Sequence, residues 1–133
     1  MKFDPQTYPH SDLTEKIIGS AMAVHRALGP RLDESIYENS LCIEFAENAL
    51  NFTQQENFPV YYRKRYVGRL ITDLIIESKV IVETKVVNQI IDVHIAQVLS
   101  YLSITGLQVG IILNFKPASL EIKRVANIYL KNQ

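Results

Sequence analysis

The stretch Asp73–Lys85, DLIIESKVIVETK, contains two apolar runs joined by a short polar turn. Its Val and Ile content predicts two antiparallel strands of a hairpin. Side chains alternate between the two faces of a strand, so Glu83 and Lys85 share one face. With the turn centred on Ser78, antiparallel pairing places Asp73 directly opposite Glu83 on that face. The hairpin therefore predicts two neighbouring carboxylates in an otherwise apolar sheet.

Two functions of these charges remain open from the hairpin alone. Two carboxylates directly opposite each other repel unless a positive charge lies between them. A hard divalent cation such as Mg²⁺ or Mn²⁺ suits oxygen ligands held in this way, and Lys85 would then orient a bound water. The alternative is a salt bridge between Asp73 and either Lys85 or Arg69 at the edge of the sheet.

Helices are predicted before and after the hairpin. Apolar spacings of three and four residues predict helices over Leu13–Leu28, from Asp33 to about Asn51, and over Asp92–Thr105. In the second helix, the predicted partly buried stripe includes Ile36 and Ile43.

Five strands are predicted from runs rich in Val, Ile and Tyr. Three antiparallel strands lie in FPVYYRKRYVG, RLITDLIIE and KVIVETKVV, with breaks at Gly68 and around Ser78, and two closing strands lie in LQVGIILNF and LEIKRVANIYL. The middle strands are apolar on both faces, which requires cover on both sides. The order ααβββαββ predicts an α/β fold with a mixed central sheet flanked by helices on both faces.

Composition limits the class of protein. The 133 residues and 47% hydrophobic content predict one folded domain spanning 1–133. No apolar run approaches a membrane span and the first residues are polar, so we expect no membrane association and a cytoplasmic location. The single Cys42 cannot form an internal disulfide. Lys plus Arg and Asp plus Glu number 14 each, so nucleic-acid binding requires a local basic patch.

The other candidate residues each have a structural alternative. Gln97 and Tyr101 are four residues apart and share a helix face, which is either a wall of a site or a solvated surface. Glu34 and Tyr37 are one turn apart at the start of a helix, where the helix dipole favours Glu in any case. His25 falls on an apolar helix face and is interpreted as a core histidine.

The run YYRKRYVGR, residues 61–69, is the one clear basic segment. Its arginines and lysine interleave with tyrosines, which suits binding of a nucleic-acid backbone or stacking on bases. Such charges also protect an exposed edge strand from aggregation.

Taken together, these segments resemble the family named after its Gly-x-x-Glu-x-x-Tyr motif, placed in the PD-(D/E)XK nuclease-like superfamily with a restriction-endonuclease-like core. The matching pieces are AVHRALGPRLDESIYE, ITDLIIESKVIVETK, HIAQVLSYL, TGLQVGIILNF and LEIKRV, which together cover about Leu13–Val125. Arg31 stands where the motif has its glycine, and Thr72 stands where proline often precedes the aspartate. If that glycine requires a positive φ, Arg31 costs of order ~1 kcal/mol or the turn differs.

The resemblance implies Mg²⁺- or Mn²⁺-dependent hydrolysis of a phosphodiester, with DNA favoured over RNA. It implies Asp73, Glu83 and the Thr84 carbonyl as metal ligands and Lys85 as the water-orienting or charge-stabilising amine. Glu34 is then an accessory acid, and Gln97 and Tyr101 match the Gln-x-x-x-Tyr element of exonuclease-like members. The residues expected to contact nucleic acid are Arg63, Lys64, Arg65, Arg69 and Tyr37.

Two alternatives to an enzyme remain. One is a binding module or accessory subunit that keeps the nuclease fold without turnover and contacts nucleic acid, a protein partner or a second copy of itself. The other is a structural homodimer with its charges in surface salt bridges, which requires Asp73 and Glu83 to be exposed and far apart. The intact Asp73, Glu83 and Lys85 argue against the first, because a module without catalysis has no reason to hold buried like charges.

Overall fold

The computed structural model describes residues 9–127, which form three helices and five strands. The helices are α1 (Ser11–Leu28), α2 (Glu34–Glu47) and α3 (Asp92–Thr105). The strands are β1 (Phe52–Tyr62), β2 (Arg65–Ile76), β3 (Val80–Lys85), β4 (Val109–Asn114) and β5 (Glu121–Ala126). The chain order is the predicted ααβββαββ.

The five strands form one mixed sheet in the order β1-β2-β3-β4-β5. All neighbours are antiparallel except β3 and β4, which are parallel. Parallel neighbours need a crossover connection, and α3 supplies it. The predicted α/β fold with a mixed central sheet is confirmed.

Helices cover both faces of the sheet because its central strands are apolar on both sides. On one face, Leu41 and Phe45 of α2 pack in the same core as Val82 and Ile111. On the other face, α3 packs over a second core that contains Ile81 and Ile112. Among the described residues, no helix combines the length and the apolar character that a membrane span requires.

Gly110 on β4 sets how closely α3 approaches the sheet. A Cβ atom at this position would lie 2.5 Å from Cγ1 of Val98 on α3. The absence of a side chain therefore lets α3 lie against β4 at the turn that also carries Gln97.

The first strand break differs from the prediction. The turn lies at Arg63 and Lys64, which have φ angles of 48° and 65°, whereas Gly68 lies inside β2 at a register irregularity. A two-residue hairpin turn with positive φ at both central positions matches the twist of the strands it joins. Arg-Lys carries none of the Asn or Gly signature of such a turn, so the sequence pattern placed the break at the glycine instead.

The second helix is shorter than predicted, and its buried face is different. It ends at Glu47, and Ala49 has a φ of 57°. Ile36 and Ile43 are exposed at 42% and 65%, because the helix packs through Tyr37, Leu41 and Phe45 at four-residue spacing. The expectation that Ile36 and Ile43 lie in the partly buried stripe is wrong.

Strands β1 and β2 extend well beyond the rest of the sheet. The pairing of β2 with β3 covers only Leu74–Ile76, while the pairing of β2 with β1 continues to the turn. Residues 57–71 therefore form a two-stranded ribbon, called the arm below.

Candidate active site

The predicted register of the β2–β3 hairpin is confirmed. Leu74 pairs with Val82 and Ile76 with Val80, so the turn is centred on Ser78. Asp73 and Glu83 are the next residues on their strands, immediately beyond the last pair. The backbone N–H of Asp73 donates a hydrogen bond of 3.4 Å to Oε1 of Glu83. The two carboxylate residues are neighbours, as the sequence predicts.

The Asp73 carboxylate lies where the β2–β3 ladder ends. Its Oδ2 accepts hydrogen bonds from the backbone N–H of Thr84 at 3.1 Å and from the Thr84 hydroxyl at 3.3 Å. These donors hold the carboxylate beside the Thr84 peptide. Asp73 is thus hydrogen-bonded to Thr84, and not to Lys85 or Arg69 as the salt-bridge alternative requires.

Glu83 is a buried carboxylic acid. Its side chain is 4% exposed. Burial, and then the charge of Asp73 together with a side-chain hydrogen bond to it, raise the pKa of Glu83 from 4.5 to about 9. Without a cation, Glu83 therefore keeps its proton at neutral pH. Because Glu83 is buried, Asp73 is half-buried and the two residues are adjacent, the structural homodimer that requires them to be exposed and far apart is excluded.

A short chain of hydrogen bonds joins Lys85 to α3. The Lys85 ammonium donates to Oε1 of Gln97 at 3.0 Å, and Nε2 of Gln97 donates to the Tyr101 hydroxyl at 3.0 Å. Burial, and then the charge of Glu83, raise the pKa of Tyr101. Gln97 and Tyr101 therefore form a wall of the carboxylate site, and the Gln97 amide orients the Lys85 ammonium.

Glu34 approaches the same site from the first turn of α2. Partial burial, and then the charge of Asp73, raise the pKa of its carboxyl group, while Lys85 and a hydrogen bond with Thr84 act in the opposite direction. An electrostatic influence of this kind requires proximity, so Glu34 belongs to the carboxylate cluster in addition to starting a helix.

Three residues of a hydrogen-bond network next to the site were not predicted from the sequence. The buried Glu38 carboxylate accepts hydrogen bonds from Gln54 at 2.6 Å and from Gln55 at 3.0 and 3.2 Å. Consecutive strand residues reach the same glutamate because Gln55 has a φ of 54°, which breaks the alternation of faces. Gln55 lies between the paired residues Gln54 and Glu56, where β1 passes Asp73. The Gln-Gln pair in a strand and a second Glu one turn after Glu34 were the available signals.

Tyr37 occupies a different place from the one expected. It is fully buried, its ring stacks on Phe115 with centroids 4.3 Å apart, and its hydroxyl donates to the Gly29 carbonyl oxygen at 2.5 Å. The same hydroxyl accepts from the backbone N–H of Leu32 at 3.1 Å. Tyr37 therefore stabilises the α1–α2 loop, and the expectation that it contacts nucleic acid is corrected by its burial.

The α1–α2 loop has a left-handed residue at the position where the Gly-x-x-Glu-x-x-Tyr pattern has its glycine. Arg31, which stands at that position, has a φ of 75°. This is the left-handed region, which glycine adopts without strain and other residues rarely adopt.

The basic residues expected to contact nucleic acid lie outside the carboxylate cluster. Arg63 and Lys64 form the turn at the tip of the arm, and Arg65 and Arg69 follow on β2. All four side chains are exposed. The structure thus separates a compact acidic site from a basic projection that begins beside it.

The donor set at Asp73 and Glu83 fits a hard divalent cation. Within residues 9–127, no group of three or more His, Cys, Asp or Glu side chains forms a metal cage. Mg²⁺ characteristically uses one or two carboxylates, keeps several waters and takes phosphate oxygens of the substrate as ligands. Two adjacent carboxylates and the nearby Thr84 carbonyl are compatible with that preference.

Comparison with known proteins gives one family. The family model of the PD-(D/E)XK nuclease superfamily matches residues 11–125. Searches of curated proteins and of solved structures return no significant match. The match covers α1 through most of β5, including the whole carboxylate site. The chain therefore belongs to the PD-(D/E)XK nuclease superfamily.

Proposed function

We propose that this protein is a metal-dependent nuclease that hydrolyses phosphodiester bonds, with DNA favoured over RNA and Mg²⁺ or Mn²⁺ as the cofactor. The observation that carries the proposal is the buried carboxylate Glu83 beside Asp73. Burying two like charges is costly unless a cation or a proton compensates them. Superfamily membership supports a cation as the compensating group.

Asp73, Glu83 and the Thr84 carbonyl would hold the cation. When bound, it would supply Lewis-acid activation of water and neutralise charge on the phosphate oxygens. In the hydrolysis itself, the water oxygen bonds to phosphorus, the ester P–O bond breaks and the leaving oxygen gains a proton.

The side chains around the carboxylates have distinct roles in this reaction. The Lys85 ammonium, held by Gln97, stabilises negative charge that develops on the phosphate. Tyr101 orients Gln97 and so acts as a positioning residue. Glu34 adds an acidic group on the α2 side of the site, where burial and the charge of Asp73 raise its pKa and so favour the protonated acid as a proton donor.

We also propose that the chain belongs to the branch with the Gly-x-x-Glu-x-x-Tyr motif. Support comes from the left-handed Arg31 at the glycine position, Glu34 at the carboxylate cluster and Tyr37 at the hydrogen bonds that close the loop. Each motif position thus has a physical function in this chain, although the glycine itself is replaced.

The test combines metal binding with hydrolysis. Calorimetric titration with Mn²⁺ and hydrolysis of bis(4-nitrophenyl) phosphate are measured for the wild type and for Asp73→Asn, which keeps the size and an acceptor oxygen for Thr84. Loss of an outer-shell partner of a metal ligand already costs about 10- to 100-fold. We therefore expect Asp73→Asn to lower both affinity and rate by more than about 100-fold.

Glu47→Gln serves as the matched control, because Glu47 is an exposed acid at the far end of α2. It is expected to leave both measurements unchanged. Saturable Mn²⁺ binding without hydrolysis of this ester or of DNA would refute the enzyme and favour the silent binding module. Absence of Mn²⁺ binding, even with oligonucleotide present, would refute the metal site itself.

A further inference from the structure

The two faces of the arm differ in exposure. On one face, Phe58, Val60 and Leu70 are half-buried, and Phe58 packs against the core beneath α3. On the other face, the exposed residues are Asn57, Pro59, Tyr61, Tyr66, Arg69 and Ile71. The arm thus rests on the protein with one face and presents the other to solvent.

The exposed face carries a pair of tyrosines. Tyr61 and Tyr66 are cross-strand partners, and their rings meet edge to face with centroids 6.2 Å apart. Their side chains are 61% and 60% exposed. Tyr62 is equally exposed at 64% but lies on the opposite face, because consecutive strand residues alternate. The Arg63 guanidinium lies 5.6 Å from the centre of the Tyr62 ring.

The arm is continuous with the carboxylate site along β2. Arg69, Ile71 and Asp73 lie at alternate positions of this one strand, so the strand that carries the exposed face runs directly into the carboxylate site. At ~3.3 Å per residue, the seven residue steps from Tyr66 to Asp73 span roughly 23 Å along the strand. This length matches about seven nucleotides at the ~3.4 Å spacing of stacked bases.

The charge of the arm is complementary to a polyanion. Residues 57–71 contain Arg63, Lys64, Arg65 and Arg69 and no acidic residue, in a chain whose formal net charge is zero. Cations that follow a backbone combined with exposed aromatic rings are the usual elements of single-strand binding. In a duplex the base faces are covered by neighbouring bases, whereas an unpaired base offers a free face to a tyrosine ring.

We infer that the exposed face of the arm binds an unpaired nucleic-acid strand leading to the carboxylate site, with bases stacked on Tyr61 and Tyr66. This inference rests on the proposed function, because it assigns the substrate of that site. It makes the substrate a single strand or a single-stranded end, and it makes Tyr61 and Tyr66 binding residues at a distance of several nucleotides from the scissile phosphate.

The test measures binding without turnover. Fluorescence anisotropy in chelator is recorded for the full chain with labelled single-stranded DNA of about 20 nucleotides, RNA of the same sequence, and the blunt DNA duplex. We expect tighter binding of a single strand than of the duplex, and the better of the DNA and RNA strands identifies the sugar that is recognised. Tyr61→Ala or Tyr66→Ala is expected to weaken single-strand binding about 5- to 150-fold per lost stack.

Tyr62→Ala is the matched control, since it removes an adjacent tyrosine of the same exposure from the other face. It is expected to change single-strand affinity by less than about threefold. An equal loss for Tyr62→Ala, equal affinity for duplex and single strand, or self-association of the chain without oligonucleotide binding would each overturn the inference.

Hydrolysis of bis(4-nitrophenyl) phosphate by the wild type separates the inference from the proposed function, because this ester is too small to reach the arm. Hydrolysis without single-strand preference overturns the inference alone. Single-strand preference without hydrolysis of any phosphodiester overturns the proposed function alone.

Discussion

Replacing Glu83 with glutamine is expected to remove much of the pH dependence of the stability of the metal-free protein. Glu83 has a pKa of about 9 in the folded chain, compared with an ordinary value of 4.5. Between these values the folded protein keeps a proton that the unfolded chain releases. The stabilisation is therefore fully present below the unfolded pKa and is lost as pH rises through the folded pKa.

The size of the effect follows from the two pKa values. One proton that is bound in the folded state and released in the unfolded state changes the free energy of unfolding by about 1.4 kcal/mol per pH unit. From about pH 5 to about pH 8, Glu83 alone is expected to lower the stability of the wild type by about 4 kcal/mol. Glutamine cannot titrate and has nearly the same shape as the protonated acid. The other titratable groups are present in both the wild type and Glu83→Gln. The difference in stability between these two proteins therefore reports the titration of Glu83.

The assay is urea unfolding in chelator at several pH values for the wild type, Glu83→Gln and the exposed control Glu47→Gln. The stability difference between wild type and Glu83→Gln should grow in favour of the variant as pH rises, whereas the control should follow the wild type. A difference that stays constant with pH would refute the protonated Glu83 and, with it, the argument that the buried pair awaits a cation.

Two further predictions concern backbone conformation and packing. Arg31→Gly is expected to raise the free energy of unfolding by about 1 kcal/mol, because Arg31 has a φ of 75°; denaturant midpoints check this, and a loss of stability would show that Arg31 makes compensating contacts. Gly110→Ala is expected to lower stability by about 1–3 kcal/mol and to reduce hydrolysis, since the new Cβ would meet Val98 at 2.5 Å and displace α3 with Gln97. Unchanged stability and rate in Gly110→Ala would contradict the close approach of α3.

The site hairpin could be predicted from the sequence because its geometry is local. Strand alternation and a turn centred on Ser78 are sufficient to bring Asp73 beside Glu83, and the observed register confirms both. The four-residue spacing of Gln97 and Tyr101 similarly placed them on one helix face, where they hydrogen-bond to each other. Which face of the sheet α3 covers depends on the crossover from β3 to β4. The order of the elements along the chain indicates that α3 forms this crossover.

The features that escaped prediction depend on nonlocal contacts or on positive φ angles in residues that seldom adopt them. Arg63 and Lys64 form a turn without glycine, and Gln55 breaks a strand so that it can reach Glu38 on α2. The burial of Tyr37 is set by Phe115, which is far away in sequence. The secondary-structure propensities of single residues contain no information about contacts with residues that are distant in sequence.

The separation of β2 from β3 at Asp73 explains both the acidic site and the basic arm. Beyond Leu74 the β2–β3 ladder stops, which leaves the Thr84 N–H free, and the Asp73 carboxylate accepts its hydrogen bond. The same separation leaves the outer part of β2 paired with β1 alone, and this part becomes the arm. A ladder extended by two more pairs would place Thr72 opposite Thr84, give the Thr84 N–H a backbone partner and remove the place that Asp73 occupies. The charges are therefore found where the apolar sheet divides, because only there do two strands leave room between them for a polar group.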